Sequence, residues 1–131
     1  MVIWQFASNS AVDALRRRNE FLASLQKHAK SIIDETAAKV VFTELVANVV
    51  LHAPGPIAIT LEIVNSYATL TVSDNGPGFV FAPALPRNPL SDGGRGLFLV
   101  SRLAAAVSVK RLDAWTRVSA VLPVRILRTD C

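Results

Sequence analysis

The chain has 131 residues, a formal net charge of +4 and 51% hydrophobic residues. This length is enough for one domain with a substantial core and leaves no room for a second, so residues 1–131 are interpreted as a single domain. No apolar run approaches the roughly 18–20 residues that span a bilayer, and the N-terminus lacks a signal-peptide pattern. The single cysteine, Cys131, excludes an internal disulfide. We therefore expect a cytoplasmic protein without membrane contact.

The positive charge is densest at Arg16-Arg17-Arg18. A basic chain invites a nucleic-acid interpretation. However, the sequence has no interleaved aromatic and basic strand pattern, no recognition-helix pattern and no zinc-ligand spacing, so we expect no direct nucleic-acid binding. Two interpretations of the arginine run stay open: a solvated helix face, or a docking face for an acidic protein partner.

The first part of the chain is predicted to form a strand and two helices. Residues 2–7 are typical of a short strand, and Ser8-Asn9-Ser10 supplies N-cap chemistry for a helix over about 11–29. A second helix is predicted from about Asp34 to the break at Pro54-Gly55-Pro56, where proline removes a backbone donor. The apolar seam of the first helix comprises Leu15, Leu22, Leu25 and Ala29, and that of the second comprises Ala38, Phe42, Leu45, Val46, Val49 and Val50.

The second part is predicted to form two hairpins separated by a loop and a helix. Apolar residues alternate over 57–63 and again over 68–72, with the turn at Asn65-Ser66. Residues 80–92 contain three prolines and no clear period, which indicates a loop longer than usual. A helix over about 97–106 and a hairpin of strands 107–112 and 115–126 complete the chain.

One helix face carries a polar stripe in apolar surroundings. Glu44, Asn48 and His52 are spaced by four residues, so they stack along one face of the second predicted helix. A buried carboxylate or amide without a partner is costly, so this stripe requires other side chains or a ligand with a metal. His52 lies near the predicted helix C-terminus, where an imidazole can bond the last carbonyls. A structural role and a contact with a ligand or metal-bound water both stay open for His52.

Two glycine-rich segments follow in the second half. The strand parity of the first hairpin places Asp74 on the inward face, directly before the turn Asn75-Gly76-Pro77-Gly78. Later, Gly93-Gly94-Arg95-Gly96 opens the predicted helix. Glycines at a helix N-terminus allow backbone N–H groups to approach phosphate.

Taken in order, these segments resemble the three motifs of the GHKL superfamily of ATP-binding domains. The N-box is similar to residues 44–53 (ELVANVVLHA), the first glycine box to residues 74–79 (DNGPGF) and the second to residues 93–100 (GGRGLFLV). The resemblance implies an α+β fold: a two-layer α/β sandwich of the Bergerat, histidine-kinase-like ATPase type. In that fold three helices cover one face of a mixed, mostly antiparallel sheet, and residues 80–92 form the ATP lid.

The resemblance also implies a role for each motif residue. Glu44 would be the catalytic general base, and Asn48 would ligate the Mg²⁺ that accompanies ATP. Asp74 would accept a hydrogen bond from the adenine amine. The remaining nucleotide-binding residues would be His52, Gly76, Gly78, Phe79, Arg87, Gly93, Gly94, Arg95, Gly96 and Leu97.

Within the superfamily, the free-standing domain resembles the bacterial anti-sigma-factor serine/threonine kinases. The implied activity is phosphorylation of a small anti-sigma-factor antagonist with a STAS domain, together with binding of a sigma factor or similar target in partner switching. Members of this branch are commonly homodimers, so a homodimer is expected. Two alternatives stay open: an ATP-binding docking module without phosphotransfer, and a detached histidine-kinase catalytic domain acting in trans. His28 lacks the acidic residue and downstream proline of a histidine-kinase phosphorylation box.

Overall fold

The computed structural model describes residues 1–28, 35–76 and 95–125. The helical elements of these segments are α1 (Ala11–Leu15), α2 (Arg18–His28), α3 (Glu35–His52) and α4 (Arg95–Leu103). The strands are β1 (Val2–Ser8), β2 (Ile57–Val64), β3 (Tyr67–Asp74), β4 (Ala106–Leu112) and β5 (Trp115–Arg125). Predictions that concern the lid at 80–92, or Ala29, lie outside the described residues.

The strands form one sheet in the order β1-β2-β3-β5-β4, and each neighbouring pair is antiparallel. Side chains alternate along β2, β3 and β5, so that one face of the sheet is buried under the helices. The other face carries mainly small polar side chains, which line a shallow depression of about 430 Å³ together with Glu62 and Arg117. The predicted two-layer α+β fold is confirmed.

The first hairpin positions the end of β3. Its turn residues Asn65 and Ser66 have φ values of 51° and 69°. Two consecutive positive φ values define the tight turn whose twist matches that of paired strands. Because this turn sets the register, Asp74 lies opposite Ile57 at the far end of the hairpin. The prediction that Asp74 shares the inward face of β3 is thereby confirmed.

Aromatic side chains join β1 to the helices. Trp4 stacks on Phe6 and meets Phe21 and Phe42 at ring-centroid distances of 6.1 and 6.2 Å, and the last two rings stack at 4.8 Å. Phe21 and Phe42 are fully buried. This cluster attaches α2 and α3 to the sheet and holds α3 in place over its inner face.

The prediction of one continuous helix over about 11–29 is wrong. The chain forms α1 and α2, separated at Arg16 and Arg17, whose N–H groups donate to Asp13 O and Ala14 O. These bonds reach three residues back rather than four, so the chain tightens between the two helices. Leu15 consequently leaves the apolar seam and is 39% exposed, whereas Ala11 and Ala14 are buried in its place.

Two further boundaries differ from the predictions. Helix α4 ends at Leu103 rather than near residue 106, because Ala106 already pairs with Val121 as the first residue of β4. Ser10 occupies the N-cap of α1 without a side-chain capping bond, while Ser8 Oγ donates to Asp13 Oδ2 at 2.9 Å.

Among the described helices, none combines the length and apolar character needed to cross a bilayer.

Candidate functional site

The predicted polar stripe lies along α3. Glu44 and Asn48 are half-buried, and His52 is exposed as the last residue of the helix. Around them α3 is apolar and packs on the sheet and on α4. A carboxylate and a carboxamide one helical turn apart therefore lie on the same side of α3 without being sealed into the core.

Asp74 ends β3 within the core layer. Its side chain is 5% exposed, and its Oδ1 accepts a hydrogen bond from the N–H of Gly76 at 2.8 Å. This bond closes the turn that follows the strand, in the manner of an aspartate that bonds its own backbone two residues on. A carboxylate has further acceptor positions, so Asp74 can also accept from a ligand.

The turn after β3 lies directly against the end of α3. A Cβ added to Gly76 would overlap Ala53 Cβ and would lie 2.9 Å from Asp74 Oδ1. At nearby Gly55, by contrast, an added Cβ would lie 3.7 Å from Asn75 Oδ1, an ordinary van der Waals distance. Glycine is therefore required at position 76 for the helix end and the turn to meet.

Sequence reasoning missed Thr116. This residue lies opposite Asp74 in the β3–β5 pairing and is 1% exposed. Within the described residues, Asp74 and Thr116 are the polar side chains that are buried. The alternation of Val118, Ala120 and Leu122 along β5, extended back by one step, would have identified Thr116 as inward-facing.

Arg111 was missed as well. Its Nη1 donates to Thr116 Oγ1 at 2.8 Å and to the carbonyl oxygen of Gly76 at 2.6 Å. No local pattern in the sequence distinguishes Arg111 from the other exposed basic residues, because its partners become neighbours only through the strand pairing. The end of the sheet beside α3 thus holds a connected polar group of Asp74, Gly76, Thr116 and Arg111.

The second predicted glycine segment leads into α4. Arg95, Gly96 and Leu97 form the first turn of that helix, so a helix does begin after the Gly-Gly pair. The helix packs against α3. The other predicted nucleotide contacts, Gly78, Phe79, Arg87, Gly93 and Gly94, lie outside the described residues.

The donor set suits Mg²⁺ bound together with phosphates. Among residues 1–28, 35–76 and 95–125, no group of three or more histidine, cysteine, aspartate or glutamate side chains is placed to hold a metal ion. Asn48 offers one hard oxygen beside Glu44, which fits an ion that keeps several waters and is bound mainly through substrate phosphates.

Comparisons with known proteins identify the family and the fold. The family model for the histidine kinase-like ATPase domain matches residues 8–122. No curated protein sequence matches the chain at a significant level.

Three solved structures share the fold at low sequence identity. The catalytic domain of histidine kinase ThkA has a TM-score of 0.55 and 16% identity over 92% of this chain and 96% of its own. The histidine kinase domain of the Escherichia coli osmosensor EnvZ has a TM-score of 0.53 and 17% identity, and the match covers 100% of this chain and 94% of the EnvZ chain. Acinetobacter baumannii histidine kinase AdeS has a TM-score of 0.54 and 13% identity, and the match covers 98% of this chain and 70% of the AdeS chain. The chain belongs to the histidine kinase-like ATPase domain family, within the GHKL superfamily.

Proposed function

We propose that this domain binds ATP with Mg²⁺ and transfers the γ-phosphoryl group to a serine or threonine of a small anti-sigma-factor antagonist with a STAS domain. The observation that carries the nucleotide-binding part of the proposal is the meeting of the buried Asp74 turn with the end of α3, through Gly76 and Ala53. The serine or threonine acceptor and the antagonist are proposed from the resemblance to the anti-sigma-factor kinases. This meeting brings an acceptor for a base to the helix that carries Glu44 and Asn48. A nucleotide could then lie with its base at Asp74 and its phosphates toward α3 and α4.

Asp74 supports adenine as the base. The exocyclic amine of adenine donates a hydrogen bond, whereas the corresponding position of guanine is a carbonyl oxygen. A buried carboxylate accepts from the amine and repels the carbonyl. A buried acceptor facing an acceptor would also remain unsatisfied, which makes the discrimination large.

Glu44 and Asn48 support phosphoryl transfer. The partner's hydroxyl oxygen would bond to the γ-phosphorus as the bond to the β,γ-bridging oxygen breaks, releasing ADP. Glu44 would accept the hydroxyl proton, and Asn48 would hold Mg²⁺, which neutralises charge on the phosphates. Positioning and electrostatic stabilisation supply most of the catalysis in reactions of this kind.

A basic surface beside α3 supports an acidic partner. Arg18 Nη1 donates to Thr43 Oγ1 at 3.4 Å, and Thr43 precedes Glu44. The neighbouring Arg16 side chain is 78% exposed and lies 4.0 Å from Asp13, and Arg17 pairs with Glu20 at 2.9 Å, so the three arginines outnumber these two carboxylates. An antagonist with acidic residues near its phosphorylated hydroxyl would be guided to this part of α3 by opposite charge. A sigma factor or comparable target is proposed as the second partner in the switching pathway.

The edge of the sheet supports self-association. Strand β1 is an outer strand, and its seven residues include no charged side chain. Charged residues are one of the devices that protect strand edges from pairing. We include a homodimer in the proposal and expect Gln5→Lys to lower the sedimenting mass from dimer to monomer. A monomeric wild-type chain would remove this part of the proposal.

The phosphotransfer proposal is tested by incubating the chain with γ-labelled ATP, Mg²⁺ and purified STAS-domain antagonists from the same genome. We expect acid-stable label on a serine or threonine, and loss of labelling with retained ATP binding in Glu44→Ala. Glu62→Ala, on the opposite face of the sheet, is the matched control. Undiminished transfer by Glu44→Ala would refute the catalytic role.

The same experiment separates the alternatives. ATP binding without label on any antagonist would identify a docking module that uses nucleotide to shape its surface. Acid-labile phosphohistidine on a partner would identify a detached histidine-kinase catalytic domain. Absence of ATP binding would overturn the nucleotide site itself.

A further inference from the structure

The polar group at the end of the sheet is organised by Arg111. This arginine lies on the outer strand β4 opposite Thr116 of β5, and Thr116 in turn lies opposite Asp74 of β3. One guanidinium nitrogen, Nη1, donates both to Thr116 Oγ1 and to the Gly76 carbonyl oxygen. The arginine therefore contacts Thr116, which lies opposite Asp74 in the sheet, and Gly76, whose N–H donates to the Asp74 carboxylate.

The bond to Thr116 determines the direction of the threonine hydroxyl. A guanidinium group donates hydrogen bonds and never accepts them. Thr116 Oγ1 must consequently accept in this bond, and the hydrogen of its own hydroxyl remains available to a different acceptor. Because Thr116 is 1% exposed, that hydrogen cannot turn freely to bulk water.

The bond to Gly76 completes the other half of the arrangement. The carbonyl of Gly76 accepts from Arg111, while the N–H of the same residue donates to Asp74 Oδ1. Arg111 thus holds the turn that orients the carboxylate. Hydrogen bonds from a charged donor are stronger than neutral ones, so one side chain stabilises both contacts.

The result is an acceptor, Asp74, beside a donor, Thr116. Adenine presents an amine donor next to a ring-nitrogen acceptor, whereas guanine presents a carbonyl acceptor next to an N–H donor. When both contacts are direct, the Asp74 and Thr116 pair matches the edge of adenine and opposes that of guanine.

We propose that Arg111 is a positioning residue for base specificity. It polarises the Thr116 hydroxyl as a donor and fixes the Asp74 turn, so that the site selects adenine over guanine. This inference rests on the proposed nucleotide function of the domain. Arg111 is exposed on the outer strand β4, and in this proposal it acts on the base through the buried side chains of Asp74 and Thr116.

The test measures dissociation constants of ADP and GDP by calorimetry, since these probes differ only in the base. Arg111→Met keeps the apolar stem and removes all donors. We expect it to lower the GDP-to-ADP ratio of dissociation constants about tenfold, the effect of roughly one hydrogen bond. Lys110→Met, the adjacent residue on the opposite face of the sheet, should keep the wild-type ratio. Arg111→Lys retains a charged donor and should recover part of the selectivity.

A double-mutant cycle distinguishes specificity from simple stabilisation of the sheet. If Arg111 acts partly through Thr116, Arg111→Met should change the ratio of dissociation constants less in a Thr116→Val background than in the wild-type chain. Independent, multiplicative effects of the two substitutions would overturn the link. Circular dichroism and thermal unfolding would establish that each variant is folded, and Arg111→Ala, which also removes all donors, serves if Arg111→Met is not folded.

Two failures remain distinct. A wild-type chain that binds neither ADP nor GDP would overturn the proposed nucleotide site together with this inference. Wild-type selectivity for ADP that persists unchanged in folded Arg111→Met would overturn the Arg111 role alone.

Discussion

Ala53 and Gly76 are in such close contact that glycine is the residue that fits at position 76. This contact joins Ala53, the residue directly after α3, to the turn after β3. It therefore connects the helix that carries Glu44 and Asn48 with the strand that ends at Asp74.

Gly76→Ala should lower both stability and nucleotide affinity. The added methyl group would overlap Ala53 and crowd the Asp74 carboxylate, and overpacking of this kind typically costs about 1–3 kcal/mol. Urea unfolding and calorimetry with ADP would measure the two effects. Gly55→Ala is the matched control, because its new Cβ would meet its nearest neighbour at 3.7 Å, an ordinary contact. Equal stability of the two variants would show that the junction can relax.

Asp74→Asn should weaken ATP binding strongly while largely preserving the fold. The amide oxygen can still accept from the Gly76 N–H, but the charged acceptor for the base is lost. We expect at least a tenfold loss of affinity by calorimetry, on the scale of a hydrogen bond to a charged group. Asp113→Asn, in the exposed turn between β4 and β5 at φ 51°, is the control, since asparagine tolerates that conformation. Unchanged affinity in Asp74→Asn would remove Asp74 from the site.

Asn48→Ala should remove the part of ATP affinity that depends on magnesium. Asn48 is half-buried on α3 and is the proposed protein ligand of an ion that is otherwise bound by phosphates and water. Affinities measured with Mg²⁺ and with a chelator should differ in the wild-type chain and converge in Asn48→Ala. Asn19→Ala, on the exposed part of α2, should behave as wild type. A persistent magnesium effect in Asn48→Ala would place the ion on other ligands.

Phe42→Ala should destabilise the domain by about 3–5 kcal/mol, the usual cost of removing a buried aromatic ring. Phe42 is fully buried and stacks on Phe21 at 4.8 Å, so its loss leaves a cavity between α2, α3 and β1. Chemical denaturation would measure the change in the free energy of unfolding. Leu51→Ala, at an exposed residue of the same helix, should change it by less than about 0.5 kcal/mol. A small effect in Phe42→Ala would mean that the cluster closes around the missing ring.

Local periodicity was sufficient to predict much of this molecule. The alternation along residues 57–63 and 68–72 identified the hairpin, and its parity placed Asp74 on the buried face. The four-residue spacing of Glu44, Asn48 and His52 identified one face of α3. These features depend on residues close together in the chain, where strand and helix geometry determine which side chains share a face.

Local periodicity failed where the outcome depends on distant segments. Leu15 fits a continuous helical seam, yet the chain tightens at Arg16 and Arg17 and exposes it. The seam is decided by how α1 and α2 each pack on α3 and β1, and no pattern within the segment encodes that packing.

The sequence alone determined the helix that carries Glu44 and Asn48, the strand that ends in Asp74, and the family resemblance of the three motifs. Only the tertiary structure showed that Thr116 lies beside Asp74, and that Arg111 reaches both Thr116 and the Gly76 carbonyl. The physical reason is that β5 pairs not only with β4, its neighbour in sequence, but also with β3, which is distant in sequence. Which residues face each other across that pairing depends on the register of the whole sheet, a property that no single segment contains.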